Sequence, residues 1–265
     1  MRFGANHPRT REVKPNPMDV TINGAPIYTI PIGPGIPISA TIVSSWIVMI
    51  LITGLCIWLT HDLKVTNISK RQAAAEYLVN LATNFVRGNM GVRFDSFIPF
   101  VAALFATSLV SNLLSLVGLW SPTADLSVEA AWAVMVFILI TRAKIRSGGL
   151  GGYLKGFTEP IFVLTPFNIL SEIATPISMA CRHFGNILSG TVISTLLYAA
   201  LSLASHALFG LIPGAVGDLL SQIPFLSVGI PAFTGLYFDW FSGFMQAFIF
   251  CMLTTLYIAN AAGEE

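Results

Sequence analysis

Charged residues are scarce in this sequence: only 10% of its 265 residues are Asp, Glu, Lys or Arg. A soluble globular domain carries about a quarter, and 54% of this chain is hydrophobic, so the composition excludes an ordinary soluble domain. The net charge of +1 provides no basic field for nucleic acid. We therefore expect a polytopic protein of the lipid bilayer, without a nucleic-acid partner.

Cysteine is also rare, and Cys56, Cys181 and Cys251 all lie in apolar segments. No Cys/His spacing indicates a metal site, and each thiol is interpreted as a small buried hydrophobe. The Gly-rich basic stretch 142–155 has neither the preceding strand nor the GKS or GKT of a phosphate-binding loop. It is interpreted as a flexible turn at the membrane surface, and no cofactor is expected.

Apolar runs are long enough to cross a bilayer core of about 30 Å, which takes roughly 20 residues. An irregular N-terminal tail is expected over residues 1–36 and a polytopic helical membrane domain over residues 37–265. The fold class is therefore an all-α membrane protein of about five spans. These spans are predicted at residues 36–59, 96–119, 125–141, 161–205 and 226–262. Residues 61–95 mix charged and apolar side chains, which predicts an interfacial amphipathic helix.

The last two segments are too long to stand upright in a bilayer. As helices, residues 166–205 and the last segment would measure about 60 Å and about 55 Å at 1.5 Å per residue. We therefore expect both segments to tilt strongly and to form a hairpin over residues 161–262. A kink near Pro176, in the first of them, is an alternative or an addition to its tilt.

Basic residues occur in alternate loops, which predicts the topology. The loops after the first and third spans contain all of these: Lys64, Lys70, Arg71, Arg87, Arg93, Arg142, Lys144, Arg146 and Lys155. The loops after the second and fourth spans contain none, so the former are expected in the cytoplasm. This leaves the N-terminus outside and the C-terminus inside, although the basic N-terminal tail argues weakly for the reverse.

Arg182 is the residue that most needs an explanation, because no other Lys or Arg occurs between residues 161 and 259. Arginine at the centre of a membrane helix costs roughly 2.5 to 3.5 kcal/mol on insertion scales, so it indicates a functional site. Helical spacing assigns a polar face to this segment, formed by Ser171, Thr175, Ser178, Arg182, Asn186 and Ser189. Taken singly, the hydroxyls are interpreted as groups satisfied against neighbouring helices.

A second polar stripe follows in the last segment, where Asp239, Ser242 or Gly243, and Gln246 recur at helical spacing and Tyr257 falls near the same face. Two helices of this kind can pack antiparallel and line narrow water-accessible paths. Asp239 lies toward the outer end and is a candidate entry group for a proton.

Arg182 cannot carry a proton itself, because arginine does not deprotonate in proteins. It can favour the ionised form of a carboxylate that passes it. Its own chain offers no close acid in sequence, since Glu172 lies ten residues away and about 80° round the helix. We therefore expect a counter-ion on another, moving chain, while the fixed charge prevents protons from leaking between two half-paths.

Three motifs resemble the membrane-embedded subunit a of F-type rotary ATP synthases. They are PISMACRHFGNILSG at 176–190, QAFIFCMLTTLYI at 246–258, and SPTADLSV at 121–128 with Asn112 in the preceding span. They occur in the family's order and cover roughly residues 90 to 262.

The resemblance implies that Arg182 is the family's essential arginine facing a ring of c subunits. It also implies that Gln246 is the polar partner across from it, that Asn186 lies on the same interface, and that the two long helices tilt against the ring. Asp239 falls where many relatives carry Glu and the enterobacterial pattern carries His, so an outer half-channel role carries over in kind.

The function implied is that of a non-catalytic stator subunit with two offset half-channels, which couples ion flow to rotation and ATP synthesis. The implied partners are the c-ring and the b subunits of the peripheral stalk. The implied location is the plasma membrane of a bacterium, and protons are favoured over sodium as the ion.

The chain departs from the family pattern at two positions. Thr191 stands where the enterobacterial pattern has Glu, and His183 stands where Leu is commoner, so His183 is either a path residue or a packed interface residue. Glu172, near the inner surface, is a candidate for the exit path. Asp125 and Glu129 belong either to the mouth of the outer path or to a solvated turn.

Two other classes of protein were weighed from the residues. A secondary transporter predicts inverted repeats with paired broken helices, and no such self-similarity is visible. An intramembrane hydrolase requires a nucleophile with a base, or an acid pair, and Asp239 has no second membrane acid at a matching depth.

Overall fold

The fold is described here from a computed structural model, which describes residues 25–30, 36–66, 68–209 and 236–263. The chain divides into two compact units. The larger unit comprises Gly24–Thr191 and Ala232–Glu265, and it contains the candidate site. Of the smaller unit, Met1–Asn23 with Val192–Pro231, the described part is the helical stretch 192–209.

Six α-helices occur in the described ranges: α1 Ala40–Thr60, α2 Lys70–Met90, α3 Ile98–Leu113, α4 Leu126–Gly156, α5 Thr165–Phe209 and α6 Gly243–Ala262. Short 3-10 helices occupy Val92–Phe97, Leu114–Val117, Pro122–Ala124 and Phe162–Leu164, and a π-helix, Leu236–Ser242, leads into α6. Strands β1 Ile27–Ile30 and β2 Ile36–Ser39 pair antiparallel.

The predicted all-α membrane fold is confirmed. Five described helices are long and apolar enough to cross a membrane: Ala40–Thr60, Val92–Val117, Leu126–Gly156, Phe162–Phe209 and Trp240–Ala262. The amphipathic segment predicted at 61–95 forms α2, which is separate from these five. Each predicted span therefore overlaps one observed helix. The third helix ends at Gly156, well beyond the predicted end at residue 141, and residues 226–235 of the fifth predicted span lie outside the described residues.

Helix starts follow from capping side chains. Ser39 and Ser69 accept hydrogen bonds from the backbone N–H groups of Ile42 and Gln72, at the starts of α1 and α2. A hydroxyl in this position satisfies one of the backbone donors that a helix leaves unpaired in its first turn. The Ser39 cap explains why α1 begins at Ala40 although the apolar run begins at residue 36.

The prediction of a flexible turn at 142–155 is wrong, because α4 continues to Gly156. Arg, Ala, Lys and Ile dominate the first part of this stretch and tolerate a helix well. The interruption is confined to Gly149, where φ is 69° and ψ is 171°, a backbone conformation that glycine adopts readily. The glycines thus produce a kink within a helix rather than a loop.

The core of the larger unit lies where α2, α3, α4, α5 and α6 meet. Fully or nearly fully buried apolar side chains from these helices form one cluster, which includes Val86, Leu104, Val136, Met179 and Phe250. Burying such a side chain stabilises a protein by about 1.5 to 3 kcal/mol in water. The arginine-bearing helix is therefore fixed against its neighbours through Met179 and Ala180, just before Arg182.

Large apolar side chains also cover the outside of the helices. Trp46, Met49 and Ile50 of α1 are each more than half exposed, as is expected of a surface that faces hydrocarbon chains. The expectation of three buried thiols is correct only for Cys251, since Cys56 and Cys181 are exposed on this outer surface. Apolar sequence surroundings do not distinguish a position facing lipid from a position in the core.

Three predicted segments lie partly outside the described residues: the N-terminal tail, the link at 206–224 and the fifth span at 226–262, of which residues 226–235 are not described. Of the N-terminal tail, residues 1–24 and 31–35 are not described, and the rest contains the β1–β2 pair, which the sequence did not predict. Of the link at 206–224, residues 206–209 continue α5 and the others lie outside the described ranges.

Candidate functional site

Arg182 lies on the outer surface of α5, and its side chain is exposed. No described acid forms an ion pair with it, and no described group forms a hydrogen bond with its guanidinium. The expectation that its counter-ion is not a neighbouring acid of this chain agrees with this arrangement. Arg182 is therefore a cation available to a partner at the surface of the larger unit.

The polar face predicted for this segment is open. Ser178, Arg182 and Ser189 are exposed, whereas Thr175 and Asn186 are partly buried. The Thr175 hydroxyl donates to the Ser171 carbonyl at 2.9 Å, and the Ser189 hydroxyl donates to the Asn186 carbonyl at 3.1 Å. These two hydroxyls are satisfied by carbonyls of their own helix, not by neighbouring helices as predicted.

Helices α5 and α6 pack antiparallel at the site. Asn186 donates a hydrogen bond to the Ser242 hydroxyl at 2.7 Å, and the rings of His183 and Phe250 lie 5.8 Å apart between centroids. Positions earlier on α5 therefore meet positions later on α6. Arg182, one turn before Asn186, lies at about the level of Gln246, one turn after Ser242.

Gln246 is nearly buried, with 6% of its surface exposed, and no hydrogen bond joins it to Arg182 in the described part of the chain. Asp239 is described through its backbone, which lies in the π-helix Leu236–Ser242. A π-helix has more residues per turn than the α-helix assumed in the sequence. The predicted alignment assumed one continuous α-helix from Asp239 to Gln246, whereas the first part of this stretch is a π-helix.

His183 forms a buried pair with an acid of α4. Its Nδ1 atom lies 2.8 Å from Oε2 of Glu129, and both side chains are completely buried. The rings of Trp132 and Phe250 flank the imidazole at centroid distances of 6.3 Å and 5.8 Å. The structure therefore brings His183 into the helix interface, while Arg182 beside it faces outward.

The Glu129–His183 pair corrects two sequence interpretations. Glu129 is not part of a solvated turn, because α4 begins at Leu126 and carries it into the interior. It is also a second acid inside a membrane helix, so the argument that Asp239 is the lone membrane acid does not hold. The sequence signal that could have revealed the pair was a histidine and a glutamate in two otherwise apolar segments.

Glu172 belongs to a polar cluster nearer the start of α5. Its carboxylate pairs with the Lys144 ammonium at 2.6 Å and accepts a hydrogen bond from the Tyr153 hydroxyl at 3.4 Å. A cavity of about 240 Å³ opens beside it, lined also by Thr175, Tyr257 and Asn260 among other residues. Because Lys144 lies in the stretch predicted as a loop, the sequence did not suggest this pair.

Asn112 fixes the start of α6 through a buried set of hydrogen bonds. Its amide donates to the Gly243 carbonyl at 3.0 Å, and its carbonyl oxygen accepts from the Thr123 hydroxyl. Ser121 continues this set by donating to the Ser111 carbonyl at 2.8 Å. The motif that resembled the family therefore has a structural function here, since it joins α3, the turn before α4 and α6.

Asp125 caps α4 and lies one residue before the observed membrane helix, Leu126–Gly156. It accepts hydrogen bonds from the Ser127 backbone and hydroxyl and from the Thr41 hydroxyl of α1. Burial by itself raises the pKa of the Asp125 carboxyl, but these hydrogen bonds outweigh burial and hold that pKa below its ordinary value. The carboxylate therefore stays ionised and connects α4 to α1.

Five apolar helices around a packed core define a multi-pass helical membrane protein, with an exposed arginine on its longest described helix. A sequence profile described as the ATP synthase A chain matches residues 42–259. The chain therefore belongs to the family of subunit a of F-type ATP synthases, the ion-translocating stator subunits in the membrane part of these complexes.

Individual relatives agree along most of their length. The chain is 31% identical over 229 residues to ATP synthase subunit a 1 of Prosthecochloris aestuarii, covering 85% of this chain and 91% of the relative. It is 31% identical over 240 residues to ATP synthase subunit a of Moorella thermoacetica, covering 89% and 95%. It is 29% identical over 246 residues to the sodium ion specific ATP synthase subunit a of Propionigenium modestum, covering 87% and 76%.

Proposed function

We propose that Arg182 drives ion release from a carboxylate carried past it by a rotating ring of c subunits, and that this chain provides two offset half-channels to that ring. The observation that carries this proposal is an exposed guanidinium without an acid partner in the described chain, in a helix that is otherwise free of Lys and Arg. Such a cation in a membrane is costly unless a partner compensates its charge.

The part of Arg182 in the transfer is electrostatic. A guanidinium keeps its proton at any working pH, whereas a positive charge nearby favours the ionised form of a carboxylate. A loaded rotor carboxyl group that reaches Arg182 therefore loses its ion, and it is loaded again after it moves on. Because one charge crossing 100 mV releases about 2.3 kcal/mol, several transfers must be summed for each ATP.

Three polar residues complete the rotor-facing site in this proposal. Ser178 and Asn186 lie one turn on either side of Arg182, and Gln246 is the polar partner across from it on α6. The antiparallel packing through the Asn186–Ser242 hydrogen bond supports this assignment, because it brings Gln246 to the level of Arg182.

The outer half-channel, in this proposal, leads past Asp239 toward the rotor. The inner half-channel leads from the rotor past Glu172 to the cytoplasm. The cavity of about 240 Å³ beside Glu172 supports the inner path, since its lining includes Lys144, Glu172 and Asn260, which can hydrogen-bond water. His183 lies buried against Glu129. In this proposal it lines neither path and acts only by fixing the position of Arg182.

The partners in this proposal are the c-ring and the b subunits of the peripheral stalk, in the plasma membrane of a bacterium. The N-terminus lies outside and the C-terminus in the cytoplasm. The part of α5 in the larger unit supports contact with a ring at a tilt, because residues 165–191 measure about 40 Å as a helix, more than the bilayer core of about 30 Å.

The transported ion in this proposal is the proton. The relative from Propionigenium modestum is named as sodium ion specific, so sodium is the other candidate. Proton pumping that persists in sodium-free buffer supports the proposal, and pumping that requires sodium contradicts this part of it.

The deciding experiment replaces Arg182 by Ala in the assembled complex and measures ATP-driven ion pumping in inverted membrane vesicles. We expect pumping per assembled complex to fall about 100-fold or more, because one preorganised charge at a transfer site is worth about that factor. Retained pumping in Arg182→Ala would overturn the proposed function.

A matched control removes a positive charge far from the site. Lys155→Ala breaks the exposed pair with Glu159, whose side chains are 75% and 63% exposed. Pairs of this kind contribute little, so Lys155→Ala is expected to pump like the unchanged complex. The comparison separates a specific effect of Arg182 from a general effect of charge removal.

A further inference from the structure

The buried pair between Glu129 and His183 is not explained by stability. Both side chains are completely buried and Nδ1 of His183 lies 2.8 Å from Oε2 of Glu129, yet within the described chain none of their nitrogen or oxygen atoms makes a well-aligned hydrogen bond. Replacing a buried ion pair by well-packed apolar residues is often neutral or stabilising. Since the pair is not needed for stability, its presence in an apolar interface indicates that it fixes the position of one helix against another.

The position that the pair defines is that of Arg182. Residues 182 and 183 are consecutive on α5, so their side chains point about 100° apart round the helix. His183 is completely buried between α4 and α6, whereas Arg182 is exposed. A rotation of α5 by one residue position would carry the guanidinium into the interface, and the pair with Glu129 opposes that rotation.

A second link joins the same two helices. Lys144 pairs with Glu172 at 2.6 Å. On α4, Lys144 lies fifteen residues after Glu129, and on α5, Glu172 lies eleven residues before His183. The two helices are therefore antiparallel and connected at two levels. The Lys144–Glu172 link restrains the inner part of α5, and the Glu129–His183 link acts next to the arginine itself.

The groups around the pair do not compete with Glu129 for His183. The groups packed against His183 are the rings of Trp132 and Phe250, which offer apolar faces and no competing charge. Arg182, the adjacent charged group on α5, is directed to the exterior. In a water-poor interface of this kind, a polar contact is stronger than at the surface.

We propose that Glu129 is a positioning residue for ion transfer: it holds His183 and thereby fixes the rotation of α5 at which Arg182 faces the rotor. This inference rests on the function proposed for Arg182. It gives Glu129 no proton-carrying step, so the carboxylate needs only to accept a contact from the imidazole ring.

The test compares Glu129→Leu and Glu129→Gln in the assembled complex, with ion pumping measured per assembled complex and per ATP hydrolysed. Glu129→Leu removes the hold on His183, and we expect pumping to fall about 10- to 100-fold, as for other misplaced transfer groups. Glu129→Gln keeps a side chain of the same shape with an oxygen beside the imidazole, so its pumping is expected to stay within about threefold of the unchanged complex.

Two results would overturn the proposal. Equal loss in Glu129→Gln and Glu129→Leu would mean that the carboxyl group itself carries the proton, because an amide cannot. Unchanged pumping in Glu129→Leu would mean that the pair is dispensable. The Gln variant preserves the shape of the side chain, so it decides the question even if the Leu variant does not assemble.

Two controls accompany the test. Glu159→Leu changes an exposed acid and is expected to pump normally. Arg182→Ala, measured in parallel, distinguishes the two proposals: its loss together with normal pumping in Glu129→Leu refutes only the positioning function. Normal pumping in Arg182→Ala refutes the function proposed for the arginine and the positioning function with it.

Discussion

At the scale of single residues, one step along α5 separates an exposed guanidinium from a completely buried imidazole. Arg182 was recognisable in the sequence because a lone permanent charge in an apolar segment is costly. The partner of His183 was not recognisable, because Glu129 lies more than fifty residues earlier and in another helix. A charged residue can be identified from the sequence, whereas the residue that pairs with it can be identified only from the fold.

Gly243 provides a residue-scale prediction. A Cβ atom there would lie 2.9 Å from the Asn112 Cβ, and the Gly243 carbonyl accepts the Asn112 hydrogen bond. We expect Gly243→Ala to destabilise the subunit by about 1 to 3 kcal/mol through overpacking. The measurement is the fraction of subunit that stays folded when the detergent-solubilised complex is heated.

The matched control for this change is Gly88→Ala in α2, where an added Cβ meets nothing within 4 Å. Alanine favours a helix more than glycine by about 0.8 to 1 kcal/mol, so this variant is expected to be neutral or more stable. Equal stability losses in Gly88→Ala and Gly243→Ala would refute the packing explanation.

At the scale of elements, α4 shows how the fold tolerates a glycine-rich stretch. The helix runs from Leu126 to Gly156 and turns at Gly149. Lys144 before the turn and Tyr153 after it both contact the Glu172 carboxylate. The kink therefore has a consequence for the candidate inner path, because Glu172 lines the cavity proposed for that path.

Gly149→Ala tests this kink. The backbone of Gly149 has φ of 69° and ψ of 171°, a region that costs other residues about 1 to 3 kcal/mol. We expect the variant to lose that much stability, or to straighten α4 and lose the Tyr153–Glu172 contact with a lower pumping rate. Heating of the solubilised complex and ATP-driven pumping measure the two effects.

Gly152 is the control position in the same helix. It has no positive φ, and an added Cβ meets nothing within 4 Å, so Gly152→Ala is expected to be neutral or stabilising. If Gly149→Ala behaved like Gly152→Ala in both measurements, the strain at Gly149 would have no functional consequence.

At the scale of the whole molecule, the distribution of basic residues decides how the five spans cross the membrane. In the proposed topology the loops with Lys and Arg lie on the cytoplasmic side. The finding that 142–155 is helical moves some of these residues into the end of α4, yet they still lie beyond its apolar part. The expected topology is therefore unchanged by the correction.

Cysteine labelling tests this topology. In a background in which Cys56, Cys181 and Cys251 are replaced, Leu119→Cys and Lys155→Cys provide exposed thiols at the two sides. We expect a membrane-impermeant maleimide to label Leu119→Cys in intact cells and Lys155→Cys only in inverted vesicles. Labelling of Lys155→Cys from outside would contradict the proposed orientation. The cysteine-free background measures non-specific labelling.

Much of the fold could be predicted because membrane spans depend on local composition. A run of about 20 apolar residues is long enough to cross a bilayer whatever it packs against, so the five helices were recognisable. Their ends were less so, since Ser39 and Asp125 start helices through individual hydrogen bonds. The continuation of α4 could not be predicted from composition, because a cluster of glycines suggests a loop. In the structure the backbone departs from helical geometry at Gly149, and the residues on both sides of it are helical.

The sequence by itself determined that this is a membrane protein with about five predicted spans and one isolated cation in its fourth span, because hydropathy and charge are properties of residues in order. The tertiary structure decided which side of α5 faces outward, that Glu129 meets His183 and that Lys144 meets Glu172. These contacts join residues far apart in the chain, and they depend on helix rotation and register. Packing between helices sets both, and no local pattern encodes them.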